Sequence, residues 1–220
     1  MSRGLRARLG RGWARVGAVL YDPFLWLGER RGMRDRRRRL LAAATGRVLE
    51  LGAGTGLNLE HYPSTVTELV LTEPDLPMRR RLQHRVADSA RPVHISDASA
   101  EALPFPDDSF DTVVSTMVLC TVPDPTVALA EVHRVLRPDG RLLFCEHVRA
   151  DSPRLARWQR RLASPWAAFA QGCRCDRPLK DLVAAELTVH RSDAERWRGM
   201  PPLVGPLVVG VAGPPRPASP

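Results

Sequence analysis

The sequence predicts an α/β domain: a doubly wound, Rossmann-like, mostly parallel sheet of seven strands, with helices at the N-terminal end. Two observations carry that reading. From residue 46 onward, apolar runs of strand length alternate with amphipathic runs of helix length, the pattern of a parallel sheet covered by helices on both faces. The first run, "RVLEL", passes directly into "GAGTG", where glycine stands at every second position at the end of a strand. Such a backbone turns sharply and lets a ligand approach where any side chain would clash.

The 220 residues are 44% hydrophobic and 26% charged, enough to close one core without disulfides or metals. The formal net charge of +9 resides in residues 1–40, where twelve arginines face Asp22, Glu29 and Asp35; beyond them the signs balance at 21 each. A basic arm of this kind is attracted to anionic lipid, nucleic acid or acidic protein. Lys180 is the only lysine, so the arginine excess is partly a compositional bias, and no nucleic-acid partner is expected. Cys120, Cys145, Cys173 and Cys175 are too few and too unevenly spaced for a secreted disulfide framework. No stretch has the roughly 18 apolar residues of a membrane span, and the N-terminus lacks the apolar core of a signal peptide. The expectation is a cytoplasmic chain that is neither processed nor membrane-spanning.

The elements follow in order. Leu5, Leu9, Trp13, Val16 and Leu20 recur at helical spacing opposite Arg8, Arg11 and Arg15, which makes residues 5–20 an amphipathic helix. It reads as a lid packed across the domain, as a peripheral membrane-surface contact, or as a nucleic-acid contact. A second helix through Arg36–Arg39 is expected to stop at Thr45-Gly46, with the arginines on a solvated face. Residues 1–44 thus form a basic helical arm, residues 45–213 the main α/β domain, and residues 214–220, "PPRPASP", a disordered tail. Within the domain, strands are predicted at "RVLEL", Glu68–Glu73, Val93–Ser96, "FDTVVST" and "GRLLFCEHV". Helices are predicted from Asp75 to about Asp88 and from Asp124 to Arg137, the latter capped by Asp124, started by Pro125 and ended by "RPDG". A tryptophan-bearing helix, "PRLARWQRRLASPWAAFAQG", precedes two more strand-like stretches, "AELTVHR" and "PLVVGVAG".

In a doubly wound sheet ligands bind beyond the carboxyl ends of the strands, so those ends can be read as one site. The first supplies Glu50, Gly52, Ala53, Gly54, Thr55 and Gly56, with Asn58 just beyond. The spacing is G-x-G-x-G, not the G-x-G-x-x-G of dinucleotide sites, and Glu50 beside it would repel a pyrophosphate but receive an ammonium group. The second end supplies Glu73 and Pro74, where a carboxylate can accept both hydroxyls of a ribose; dinucleotide enzymes share that feature, so it does not separate the two cofactor types. The third supplies Asp97 and Ala98, suited to an adenine amino group. The fourth supplies Ser115, Thr116 and Met117.

Taken together, "VLELGAGTG", "LTEPD", "SDASAEALPFPDDSFDTVVSTMVLCTV" and "EVHRVLRPDGRLLFCEHV" resemble the successive motifs of the class I S-adenosylmethionine-dependent methyltransferases, in the branch of the ubiquinone and menaquinone enzymes. The resemblance implies S-adenosyl-L-methionine as cofactor. It places Glu50 and Gly52–Gly56 at the methionyl end, Glu73 at the ribose, and Asp97 and Ala98 at the adenine; Ser115, Thr116 and Met117, by their place after the fourth strand, are expected close to the sulfonium. A narrower similarity, carried by "VLCTV", "EHVRA", Trp158, Pro165-Trp166 and Gly172-Cys173, is to thiol methyltransferase-like proteins. Animal members of that group carry a long hydrophobic N-terminal anchor, for which the basic helix here is no equivalent. The implied reaction is methyl transfer to a small apolar or thiol-bearing acceptor. A quinone or lipid methyltransferase at a membrane surface, and a non-catalytic S-adenosylmethionine-binding regulator, remain the alternatives.

The acceptor pocket is expected to draw on Met117, Glu146, His147, Trp158, Trp166 and Cys173. His147, at the end of the fifth strand, is the candidate base; Glu146 reads as an orienting or capping group. Trp158 and Trp166, eight residues apart on one helix, are expected to share a face and wall the pocket. Cys173 and Cys175 form C-x-C, which is too few ligands for zinc, so no metal is expected.

Overall fold

The computed structural model describes residue 19, residues 21–87, residue 89 and residues 92–215. The amphipathic pattern of residues 5–20 therefore lies outside the described residues, apart from Val19, as does most of the proline-rich tail. Residues 21–28 are helical and run through a distorted turn, Glu29–Met33, into α1 (Arg34–Leu41). Then come β1 (Gly46–Leu51), β2 (Val66–Thr72), α2 (Leu76–Ala87), β3 (Val93–Ser96), β4 (Phe110–Thr116), α3 (Pro125–Val135), β5 (Leu136–His147), α4 (Pro153–Phe169), α5 (Leu179–Glu186), β6 (Thr188–Arg196) and β7 (Pro206–Gly213).

The seven strands form one sheet in the order β3-β2-β1-β4-β5-β7-β6. The first five are parallel to their neighbours, and β7 lies antiparallel between β5 and β6. Because side chains alternate across a strand, each central strand feeds two cores. Leu49, Val113, Leu142 and Phe144 pack on one face with Leu129 and Val132 of α3 and Val183 of α5. Val48, Val114, Leu143 and Cys145 pack on the other with Leu25, Met33, Leu41 and Trp197.

The start of α3 is as expected: Pro125 opens it and Asp124 caps it, its Oδ1 accepting from Thr126 N–H at 2.9 Å. Three boundaries differ. The helix through the arginine run ends at Leu41, before the expected stop, and Gly46 instead opens β1. There φ is +67°, and a Cβ would lie 2.3 Å from the Asp111 carboxylate, so glycine is needed for the approach of β4. The turn "RPDG" is absorbed into β5 as an irregularity in its pairing with β4, between Leu136 and Arg141. Ala185 and Glu186, expected in a strand, close α5.

The arginine run is not one solvated face. Arg38 and Arg39 are exposed, whereas Arg36 and Arg37 are buried. Arg36 pairs with Glu195 at 2.5 Å, tying α1 to β6. Arg37 turns inward beneath the carboxyl ends of the strands.

Candidate active site

The carboxyl ends of β1, β2 and β4 converge around the glycine loop. Gly52, Gly54 and Gly56 all have positive φ, between +48° and +88°. A Cβ on Gly52 would lie 2.9 Å from Val118, and one on Gly56 2.8 Å from Leu82, so packing explains both. At Gly54 nothing but the Gly52 carbonyl, at 4.0 Å, comes near. Its bare face is therefore free for a ligand, which fits a nucleoside cofactor lying across the loop.

Glu73 braces this loop. One carboxylate oxygen accepts from Gly54 N–H at 2.8 Å and the other from Asp75 N–H at 2.8 Å. Each oxygen keeps a lone pair, so a ribose diol can still be held. Burial pushes the Glu73 carboxyl above its ordinary range, and the two N–H donors oppose it. Pro74 follows, its carbonyl accepting from Arg79 at 3.1 Å. Asp97 stands at the rim with its side chain 79% exposed, 3.9 Å from Arg79. Ala98 N–H is turned to Ser96 Oγ at 3.2 Å.

Beneath the loop lies a buried polar network. Glu50 accepts from Tyr62 O–H at 2.6 Å and from Asn58 Nδ2 at 2.9 Å. Burial drives its carboxyl up to about 7 against those bonds and the nearby Arg37 guanidinium. Asn58 Nδ2 also donates to Thr116 Oγ1 at 2.9 Å, and Arg37 donates to Asn58 Oδ1 at 2.9 Å and to Thr116 Oγ1 at 3.2 Å. Glu29 closes the chain as the partner of Arg37 at 3.1 Å. Glu50 thus faces protein donors and is 2% exposed, a narrower setting than an open carboxylate beside the loop.

The helical residues 21–28 close over one side. Asp22 accepts from Thr55 Oγ1 at 2.6 Å and pairs with Arg85 at 3.0 Å, which latches this segment to the loop. Burial pushes the Tyr21 phenol up to about 12, with Arg37 opposing and Glu73 adding to the rise. Arg37, Tyr62, Tyr21 and Asp22 were not singled out in the sequence. The "YD" pair and the glutamates offered no spacing rule to connect them.

Several expected site residues are placed elsewhere. Ser115 does not face the cofactor cleft: it is fully buried and donates to Glu146 Oε1 at 2.7 Å. Glu146 does not line a pocket. It accepts from Val118 N–H at 2.9 Å and Cys120 N–H at 3.2 Å as well, anchoring the loop after β4, while burial raises its carboxyl. Met117 opens that loop with φ +63°, in the left-handed region that costs a non-glycine residue energy, and its N–H is held by the Cys145 carbonyl at 2.9 Å. Trp158 is 54% exposed, on the outer side of α4 among Arg154, Arg157 and Arg161. The two rings are offset by about 80° around the helix, and their surroundings differ: Trp158 stands in solvent while Trp166 turns toward the domain. Trp166 is the half-buried one, packed at 5.6 Å on Phe169. Cys173 lies 3.9 Å from Cys120, and of the two Cys173 gives up its proton more readily, because the Cys120 thiol supports its thiolate.

His147 is 5% exposed and stacks on Trp197 at 5.6 Å. Burial pushes its imidazole down to about 4, leaving it neutral at physiological pH. The unfolded chain binds a proton at about pH 6.5 and the folded one only near 4, so this residue's stability is present above 6.5 and lost as pH falls toward 4. Between those values, wild type should lose up to about 1.4 kcal/mol per pH unit relative to His147→Phe. Denaturant titrations at several pH values would measure the gap, and a pH-independent gap would overturn the assignment.

No helix among the described residues is long and apolar enough to cross a membrane. Among them, no group of three or more histidine, cysteine or acidic side chains gathers as a metal site.

The geometry can be set beside known proteins. Residues 49–144 match the methyltransferase domain family. The chain is 34% identical over 213 residues to the thiol S-methyltransferase TMT1B of Homo sapiens, covering 87% of this chain and 85% of that protein. It is 37% identical over 134 residues to a phosphatidylethanolamine N-methyltransferase of Cereibacter sphaeroides, covering 58% of this chain and 64% of that one. A crystal structure of an S-adenosylmethionine-dependent methyltransferase from Thermotoga maritima shares the fold, with TM-score 0.67 and 22% identity over 92% of this chain and 98% of that one. The strand order, the glycine loop and these relatives together show that the chain belongs to the class I S-adenosylmethionine-dependent methyltransferases and is an enzyme of that class.

Proposed function

We propose that the protein methylates the sulfur of a small apolar thiol. The observation that carries this reading is that both titratable side chains at the end of β5 are closed off: Glu146 by its three donors, His147 by Trp197 and burial. Methyl transfer is an in-line displacement that discharges a sulfonium, and alignment alone can supply roughly 7–11 kcal/mol of such a barrier. A thiol with a pKa of about 8.5 offers several per cent thiolate at neutral pH, whereas a phenol near 10 offers under about 1% and gains more from a base. An acceptor sulfur therefore suits a site whose candidate bases are buried. The thiol S-methyltransferase relative supports the same acceptor over most of the chain.

S-adenosylmethionine, when bound, supplies the activated methyl group. In this reading Gly54 gives the cofactor a bare backbone to lie on, and Glu73 accepts the ribose hydroxyls. Thr116, Asn58 and Glu50 present polar groups toward the methionyl end, held in place by Arg37. Asp97 and Ala98 flank the adenine at the rim.

Transfer of labelled methyl from the cofactor to a panel of thiols, phenols and quinols tests the acceptor. Alkyl or aryl thiols should be labelled first. Preferred labelling of a quinol or of phosphatidylethanolamine would replace this reading, and cofactor binding without any transfer would favour a regulator. Glu73→Ala should weaken S-adenosylhomocysteine about 100-fold by calorimetry, since hydrogen bonds to a charged group contribute about 1.5–3 kcal/mol each. Glu73→Gln should lose less, and unchanged affinity in both would remove Glu73 from the ribose site.

A further inference from the structure

We infer that α4 and the helical residues 21–28 together form a docking surface for anionic lipid bilayers. Nine large hydrophobic side chains are exposed among the described residues, and six of them lie on these two segments: Phe24, Trp26, Leu27, Trp158, Leu162 and Phe169, with Val19 just before the first. Elsewhere among the described residues the exposed large hydrophobics are Leu76 and Val127. The two segments are joined, because Phe24 meets Phe169 edge to face at 5.8 Å.

The surrounding charge is of one sign on α4. Its sequence, "PRLARWQRRLASPWAAF", contains Arg154, Arg157, Arg160 and Arg161 and no acidic residue. Helical spacing sets Trp158, Leu162 and Phe169 in one stripe with Arg154 and Arg161 along its edge. Arg161 lies over the Trp158 ring at 5.8 Å, and Arg30 over the Trp26 ring at 4.9 Å. Gln159 and Ala163, on the opposite side, are buried against the domain. Exposed tryptophan and phenylalanine flanked by arginine is the composition of a helix that lies in the headgroup region. Patches of this kind on a soluble surface mark an interaction site.

Lipid fits better than the other occupants. Nucleic acid would satisfy the arginines but not an aliphatic edge of Leu27 and Leu162. Residues 1–18 hold five arginines and no acid, a charge that adds to the attraction for an anionic surface. The surface also reaches the acceptor side of the domain. Phe169 packs on Trp166, on the same helix that leads to Cys173 and through it to Cys120 after β4. An apolar acceptor dissolved in a bilayer would thus meet the enzyme beside its site. The surface stands whichever acceptor is used, since vesicle binding reads no methyl transfer.

The test is co-sedimentation of the full chain with vesicles of phosphatidylcholine containing phosphatidylglycerol, at low and physiological salt. Wild type should bind these and leave pure phosphatidylcholine vesicles largely unbound. Arg157→Gln with Arg161→Gln should weaken partition about 25-fold, as each arginine near an anionic surface contributes roughly fivefold. Arg157→Glu with Arg161→Glu should do so by a larger factor, and Trp158→Ala with Leu162→Ala by about tenfold. Melting temperature and S-adenosylhomocysteine affinity should stay at wild-type values in all of them. Absence of binding to anionic vesicles, equal binding by the variants, or loss of transfer RNA binding instead of vesicle binding would each overturn the proposal.

Discussion

An Arg37→Ala variant should lose about 3–5 kcal/mol of stability, the cost of stranding one partner of a buried ion pair. The Arg37 side chain is 5% exposed and that of Glu29 is 16% exposed. Burial alone would disfavour the guanidinium charge, but Glu29 and the other groups around it more than offset that, so Arg37 is cationic at any working pH. Alanine would leave Glu29 without its partner and Asn58 Oδ1 without its donor. The amide of Asn58 would then be free to turn, and Glu50 would lose a bond that fixes it beneath the glycine loop. Cofactor affinity should fall with stability. Arg38, one residue on, is the control: exposed and paired only with Asp35, it should cost under about 1 kcal/mol as alanine. Urea midpoints at unchanged slope decide the matter. Similar losses at the two positions would show that the buried network contributes no more than a surface pair.

Glu146→Ala should cost about 3–9 kcal/mol, because three buried donors lose their acceptor and each unpaired one costs about 1–3 kcal/mol. Those donors are the Ser115 hydroxyl and the Val118 and Cys120 N–H groups. All three belong to β4 or to the loop that carries Met117 in its left-handed conformation. The variant should therefore free that loop as well as destabilise the fold. Amide exchange at Val118 and Cys120 should speed by at least about tenfold beyond the global change. Glu146→Gln keeps the volume and one carbonyl acceptor, so it should recover part of the loss. Exchange at those two amides that tracks only global unfolding would rule out an anchoring role.

The expected element order held because strand and helix periods differ and because the strands end in glycine, proline and acidic residues. The site residues at strand ends were legible for the same reason: a parallel sheet brings those ends together whatever lies between. What was not legible depended on phase. Within Arg36–Arg39 the residue type is constant, and only the helix rotation, fixed by packing of Met33, Leu40 and Leu41, turns Arg36 and Arg37 inward. Ser115 and Thr116 are adjacent in a strand and so face opposite ways; the register decides that Thr116 meets the polar network and Ser115 meets Glu146. Trp158 and Trp166 differ in burial for the same reason, since the helix rotation that buries Gln159 and Ala163 leaves Trp158 outside. Tyr62 carries no local sign of its bond to Glu50, twelve residues earlier.

The place of β7 bears on how the chain can be made. It is the seventh strand in sequence, yet it sits between β5 and β6 and supplies every neighbour that β6 has. During synthesis from the N-terminus, Leu142–Cys145 would present an unsatisfied sheet edge until Leu207–Ala212 had emerged. Loss of the C-terminal strand by truncation or early termination would therefore leave a sticky, five-stranded intermediate, one that a chaperone must hold or a protease must clear.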